Sequence, residues 1–258
     1  MKLTYERSGN PDAAAIVFLH GMGMGPWMWH AQIRHFVDYD CFNVDLPGHG
    51  GSRDIAWDSF DQVADEVACL IDETIPDKPV HLIGMSLGAV VGLHLLARHP
   101  RRFERAVLTG AFAEAPPRWQ IRLQGQVMAL LLQTGTGRRL FARMLQLPAE
   151  AMPAYEQSIR ALSIPTYRQI VRQIADYALP DDLRSIATPT LFVTGEKDIP
   201  INRHSVTRLA RQVPEAVGVF APGVHHSWNG ENPALFNATA RAWIEGQALP
   251  DALIPAAT

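Results

Sequence analysis

The apolar positions of this chain fall into two alternating patterns. AAIVFLH (14–20), CFNVDL (41–46), PVHLIG (79–84), RAVLTG (105–110), TLFVTG (190–195) and AVGVFA (216–221) are short, nearly unbroken apolar runs. Runs of that length predict strands buried on both faces of a sheet. KLTYER (2–7) alternates instead and predicts an edge strand. Between these runs the apolar residues recur at helical spacing. One helix is expected from Pro26, a residue tolerated in a first turn. A second, over about 59–75, puts Phe60, Val63, Val67, Leu70 and Ile71 on one face, with Asp58 or Ser59 as its cap. A third follows Ser86 and stops before Pro100. Two more cover about 202–212 and 233–247. Strands alternating with helices predict an α/β fold, a mostly parallel twisted sheet covered on both faces.

The alternation breaks between Phe112 and Arg184, where no strand signal occurs. Up to four amphipathic helices are expected there, marked by Trp119, Leu123, Val127 and Leu131, then Leu140, Phe141, Met144 and Leu145, then Met152, Tyr155, Ile159 and Leu162, then Tyr167, Ile170, Val171 and Ile174. The strand pattern resumes at TLFVTG. The division expected is therefore a sheet-based core over 1–111 and 185–258 with a helical cap, or lid, inserted at 112–184.

Composition narrows this picture. Of 258 residues 47% are apolar and 19% charged, as in an ordinary globular domain. A net charge of −3 gives no electrostatic footprint for nucleic acid or an anionic membrane. The insert carries nine arginines against six acidic residues, an excess that a solvated helix surface accounts for. Two cysteines, Cys41 and Cys69, make neither a disulfide framework nor a metal site, and both are expected as buried thiols. The first ten residues hold no apolar signal segment, and no apolar run approaches the roughly 20 residues that span a bilayer. The expectation is a soluble, cytoplasmic protein, monomeric or homodimeric, with no nucleic-acid partner and no membrane insertion.

The candidate chemistry begins at IGMSLG (83–88). It fits G-x-S-x-G, directly after a predicted strand and at the start of a predicted helix. So tight a turn needs small residues at Gly84 and Gly88. It lifts the Ser86 hydroxyl above the carboxyl edge of the sheet and aims a helix N-terminus at the same point. A serine hydroxyl needs a base to act as a nucleophile, and the base needs an orienting acid. After the last long strand, PGVHHSWNGENPALF offers His225 and His226 as bases. TLFVTGEKD puts Asp198 just past a strand; Glu196 is expected to face solvent, and Glu114 is the alternative acid. The N–H of Leu87 and that of Met22, in the glycine-rich turn LHGMGMG, are candidate donors to an oxyanion. No histidine, cysteine or carboxylate cluster has metal-ligand spacing, and GMGMG lacks the placement of a dinucleotide fingerprint.

Together HGMG, DLPGHGGS (45–52), GMSLG, VTGEKD and HHSWNGENPALF resemble the motifs of the α/β-hydrolase superfamily over nearly the whole chain. The resemblance implies about seven strands, with one rather than two before AAIVFL. It assigns the base to His226, because an acidic residue five positions on and a proline seven on, Glu231 and Pro233, fit that histidine and not His225. His225 then stands where a glycine is common. It implies a catalytic triad of Ser86, His226 and Asp198, an oxyanion hole at Met22 and Leu87, and structural roles for His20 and His49. Trp27, Met85 and Trp228 flank the motifs and are expected to line the substrate pocket, while Trp29 is expected to pack inside. A serine nucleophile argues against the dehalogenases and epoxide hydrolases of the same fold. The activity implied is a cofactor-free carboxylesterase acting on small to medium hydrophobic acyl substrates. Carbon–carbon bond hydrolases, cofactor-free haloperoxidases or perhydrolases, and hydrolase-fold receptors share the same features.

Overall fold

The computed structural model describes residues 2–256. In chain order its elements are β1 (Tyr5–Gly9), β2 (Ala15–Leu19), α1 (His30–His35), β3 (Asp40–Val44), α2 (Phe60–Thr74), β4 (Val80–Met85), α3 (Leu87–Arg98), β5 (Arg105–Thr109), α4 (Arg118–Leu131), α5 (Gly135–Met144), α6 (Met152–Ala161), α7 (Ile164–Ala175), β6 (Thr190–Gly195), α8 (Pro200–Gln212), β7 (Ala216–Ala221), α9 (Trp228–Glu231), α10 (Pro233–Ile244) and β8 (Ile254–Pro255). The sheet order is β1-β3-β2-β4-β5-β6-β7-β8. From β3 to β7 every pairing is parallel; β1 on β3 and β8 on β7 are antiparallel. The sheet therefore has eight strands rather than seven, the extra one being the two-residue β8 at an edge.

Strand β2 shows why its run is unbroken. Ile16 and Phe18 enter a cluster with Trp29, Phe36, Phe236 and Trp243 on one face. Val17 and Leu19 enter a cluster with Val63, Val67 and Val90 on the other. Successive side chains of a strand point to opposite faces, so both positions of the repeat must be apolar when both faces are covered. Helices α2, α3 and α8 cover the Val17 face, and α10 with the segment around α1 covers the Ile16 face. β7 departs from this pattern. Only Val219 and Ala221 of its six residues are buried, because the narrow edge beyond it is closed by β8 alone.

The helices begin where the polar signals place them, with one shortening. The Ser59 hydroxyl accepts the Gln62 N–H at 3.2 Å and caps α2. Pro26 opens a single 3-10 turn, Pro26–Trp29, which leads into the six-residue α1. Cys41 is buried in β3. Cys69 is exposed on α2, contrary to its apolar surroundings in sequence, since it falls outside the stripe formed by Phe60, Val63, Val67 and Ile71.

Helices α4 to α7 stand between β5 and β6 and share a core of their own, with Tyr155, Ile159, Leu162 and Tyr167 buried beside Met24 from the loop after β2. The apolar stripe of α4 does not face that core. Trp119 is 66% exposed, Leu123 55% and Val127 49%. α4 instead meets α7 through Gly125 and Ala129, and Gly125 lies so close to Val171 that a Cβ would stand 2.4 Å from its Cγ1. Arg118 and Arg122 hold the same side by pairing with Asp176 at 3.1 and 3.2 Å. Small residues let two helix axes approach, and the bulky stripe is turned outward as a result.

The order 3-2-4 reverses the winding direction between β2 and β4, so the loops leaving their carboxyl ends diverge and open a crevice there. The start of α3 fills the floor of this crevice. A Cβ on Gly88 would stand 2.2 Å from the Leu19 carbonyl oxygen and 2.8 Å from that of His20. Gly88→Ala is expected to cost at least ~3 kcal/mol, as overpacking against backbone does. For a chain of this size that is a drop of roughly 6–12 °C in Tm. Gly135→Ala, where an added Cβ meets nothing nearer than 3.7 Å, is the control and should leave the thermal melt unchanged or raise it.

Candidate active site

Ser86 occupies the one-residue junction between β4 and α3, with φ 53° and ψ −115°. A side-chain-bearing residue at positive φ is strained by about 1–3 kcal/mol and must be held by its surroundings. Here the Ser86 N–H donates to the Thr109 carbonyl at 2.8 Å, and the Ser86 carbonyl accepts from Ala89 and Val90 at 3.0 Å. Gly84 and Gly88 allow the turn: a Cβ on Gly84 would stand 2.6 Å from the Gly88 carbonyl oxygen. The hydroxyl is thereby presented to the crevice at the first turn of α3, where the leading N–H groups have no intrahelical acceptors.

Asp198 and His226 reach the same crevice from the loops after β6 and β7. His226 Nδ1 is 2.8 Å from Asp198 Oδ2. The carboxylate is almost fully buried and well supplied with donors. Oδ1 accepts the Ile199 N–H at 2.7 Å, the Asn202 amide lies 3.0 Å from both oxygens, and the Thr194 hydroxyl donates to Oδ2. Burial pushes the Asp198 pKa up. Hydrogen bonds from His226, Thr194 and Asn202, with the charge of His226, outweigh burial and hold it below the usual carboxylate range. The His226 ring lies against Gly110, at φ +65°, where a Cβ would stand 2.6 Å from Cε1. The sequence pattern places Thr194 and Gly110 at strand ends and Asn202 at a helix start, but gives none of them a role beside Asp198 or His226. Their roles depend on which loop folds back over which.

The alternative acids and base are occupied elsewhere. Glu114 pairs with Arg208 at 2.7 Å, and Glu196 is exposed and accepts the Gly223 N–H at 2.8 Å. Glu231 binds His225 twice, taking its backbone N–H at 3.0 Å and Nδ1 at 2.9 Å. The acidic residue five positions after His226 thus serves the neighbouring histidine, and so fixes the loop that carries both.

The loop after β2 is held on either side of Met22. The Gly21 N–H points to Met28 Sδ at 3.4 Å and the Gly23 N–H donates to His49 Nε2 at 3.0 Å. His20 Nε2 accepts the Leu46 N–H at 3.1 Å. Because both Nε2 atoms accept, both Nδ1 atoms carry the proton, which they donate to the carbonyls of Gly21 and Pro47 at 2.9 Å. Burial pushes the pKa of His20 down to about 4 and that of His49 down to about 3, so both rings are neutral scaffolding.

Ser86, His226 and Met22 line one cavity of about 460 Å³. Met24, Met28, Phe141, Leu145 and Leu147 make much of its wall, and Arg34 and Glu150 also border it. Trp27 and Met85 line it, with Trp27 Nε1 donating to the Ser158 hydroxyl on α6 at 2.8 Å. Trp228 does not. It is completely buried against Phe236, and its Nε1 donates to the Thr109 hydroxyl at 2.7 Å. The backbone turn after His226 sends this indole down into the core below the sheet edge. Trp29 is likewise fully buried. Among the described residues no group of three His, Cys, Asp or Glu side chains is placed to hold a metal ion, and no helix is long and apolar enough to cross a membrane.

A serine elbow at the switch point of a doubly wound sheet defines a class of proteins. The profile of the Alpha/beta hydrolase family matches residues 16–239, and the chain belongs to that family. It is 27% identical to a pimeloyl-[acyl-carrier protein] methyl ester esterase of Aeromonas hydrophila, over 92% of this chain and 96% of that one. It is 25% identical to 3-oxoadipate enol-lactonase 2 of Acinetobacter baylyi, over 93% and 92%. Among solved structures, a thermophilic esterase from Thermogutta terrifontis superposes with a TM-score of 0.78 at 20% identity, covering 95% of this chain and 93% of that one.

Two outcomes follow from the geometry. Gly110→Ala should displace the His226 ring and lower activity at least ~10-fold, because a displacement of this size undoes a positioned hydrogen bond. Kinetics on the folded variant measure it. The buried neutral histidines make the fold acid-labile. An unfolded chain takes up protons near pH 6.5, whereas His20 and His49 in the fold resist protonation down to about 4 and about 3. Stability is therefore full above pH 6.5 and falls below it, by about 1.4 kcal/mol per pH unit for each such ring. Urea melts at pH 7.5 and 5.0 should differ accordingly, and His49→Gln should reduce the difference.

Proposed function

We propose that this protein is a carboxylesterase, a serine hydrolase that cleaves esters of small to medium hydrophobic acids through an acyl-enzyme. The observation that carries this reading is the strained Ser86 opening onto the same cavity as a histidine already paired with a buried carboxylate. The Ser86 oxygen attacks the ester carbonyl as His226 Nε2 takes its proton. Asp198, bound to Nδ1, keeps the base at Nε2 and stabilises the imidazolium that forms. The N–H groups of Leu87 and Met22 receive the negative oxygen of the tetrahedral intermediate. The imidazolium then protonates the leaving alcohol. A water molecule, deprotonated by His226, attacks the acyl-enzyme, and collapse of the second intermediate returns the proton to Ser86 and frees the acid.

The methionine-rich wall and the volume of about 460 Å³ suit an acyl chain rather than a polymer. α5 and the segment 147–154 roof the cavity, so the insert acts as the lid that selects the acyl group. Esters and lactones offer the same carbonyl to a serine nucleophile, and relatives of this chain bear the names of both an ester esterase and an enol-lactonase.

On a panel of p-nitrophenyl esters of increasing chain length, turnover is expected with a preference for short and medium chains. Ser86→Ala should lose ~10⁴-fold or more in kcat, and Asp198→Asn about 10⁴-fold. The rate should rise with pH as the base loses its proton. No turnover on any ester of the panel would sink the proposal, as would a near-normal rate in Ser86→Ala.

A further inference from the structure

Asp198 is oriented by more than His226. Its Oδ1 takes the Ile199 N–H, a backbone donor that no side-chain substitution removes, and Thr194 donates to Oδ2 from β6. Asn202, in the first turn of α8, differs from both. Its Nδ2 is 3.0 Å from each carboxylate oxygen and 3.2 Å from His226 Nδ1. Only the NH₂ edge of an amide can face two carboxylate oxygens, so the orientation of this side chain is dictated by Asp198. Among the described residues Asn202 is the one side chain within hydrogen-bond distance of both members of the pair, and it is itself buried.

We propose that Asn202 is a positioning residue for that pair: its amide locks the carboxylate against the imidazole and draws off part of its charge, and so sets the pH range over which His226 serves as base. The inference rests on the esterase reading for its kinetic consequence, though not for its structural one. With the amide in place, Asp198 shares its negative charge among four side-chain and backbone donors. Without it, the carboxylate keeps the Ile199 and Thr194 donors but directs more of its charge at His226. The imidazolium is then favoured, and a higher pH is needed to free the base.

Charged groups on the surrounding elements do not replace this control. Arg203 of α8 reaches the Glu196 carbonyl, Glu196 binds the Gly223 N–H, His225 pairs with Glu231, and Glu114 past β5 pairs with Arg208. Lys197, beside Asp198, and His204 of α8 are exposed.

The test compares wild type with Asn202→Leu, similar in shape without a donor, Asn202→Ser, which keeps one hydroxyl donor, and Asn202→Asp, which adds a charge. On p-nitrophenyl butyrate, Asn202→Leu should lower kcat about 10-fold with KM within about twofold, and move the acid limb of the rate profile up by roughly half to one pH unit. Asn202→Ser should restore part of both, and Asn202→Asp should move the limb further up. The Nδ1 proton of His226, followed by NMR without substrate, should shift in the same order. An unmoved limb and an unmoved Nδ1 resonance in folded Asn202→Leu would overturn the proposal. So would a loss of activity that merely follows the melting temperature and is not relieved by serine. Should wild type cleave no ester, the esterase reading fails, and the Nδ1 resonance alone still decides whether Asn202 governs the pair.

Discussion

The close seating of the α3 N-terminus on the end of β2 is the contact on which the site depends. At Gly88 two backbones touch with no room for a side chain, and at Gly84 the same helix leans on the strand it has just left. That approach brings the first N–H groups of α3 alongside the loop at Gly21 and Met22. It also leaves Ser86 the only route between strand and helix, through positive φ. The strain of that conformation is small beside the eight-stranded sheet that enforces it. The Ser86 hydroxyl and the N–H groups at the start of α3 are thus placed by packing of main chain on main chain, which is far stiffer than any arrangement of side chains.

The histidines around this contact divide by their partners. His20 and His49 hydrogen-bond only to backbone groups, pack edge to face on one another and, being fully buried, stay neutral, tying the loop after β2 to the loop after β3. His225 and His226 each face a carboxylate, and His226 borders the cavity. A ring held by carbonyls and amides has no charge to stabilise and serves as scaffold. A ring with a carboxylate on Nδ1 can accept a proton on its other nitrogen at low cost, which is what a general base requires. Consecutive residues in the chain therefore take different partners: Glu231 holds His225, and Asp198 holds His226.

The insert shows where pattern and burial part. In α6 and α7 the apolar stripe marks the buried face, as Tyr155, Ile159, Tyr167 and Ile170 all are. In α4 it marks the exposed one, because Gly125 and Ala129 make the contact with α7 and hydrophobic periodicity does not register small residues as a face. Trp228 was misplaced for a related reason. Its neighbours in sequence belong to the cavity, but a single turn after His226 reverses its direction. Asn202 carries no motif, and Thr194 sits inside VTGEKD with no role of its own; each lies four residues from Asp198 in chain and on its carboxylate in space.

The order of strands and helices, the glycine-flanked serine, and the histidine and aspartate at strand ends were all legible in the sequence. They are local requirements: a doubly covered strand must be apolar throughout, and a one-residue elbow needs glycine two positions to either side, where the backbones meet. What the tertiary structure decided was pairing across distance. It chose Glu231 for His225, assigned Asn202 and Thr194 to Asp198, set Gly110 beneath His226, and turned Trp119 outward. Each of those outcomes depends on how closely two backbones approach, and that distance is fixed by the whole packed sheet rather than by any short run of residues.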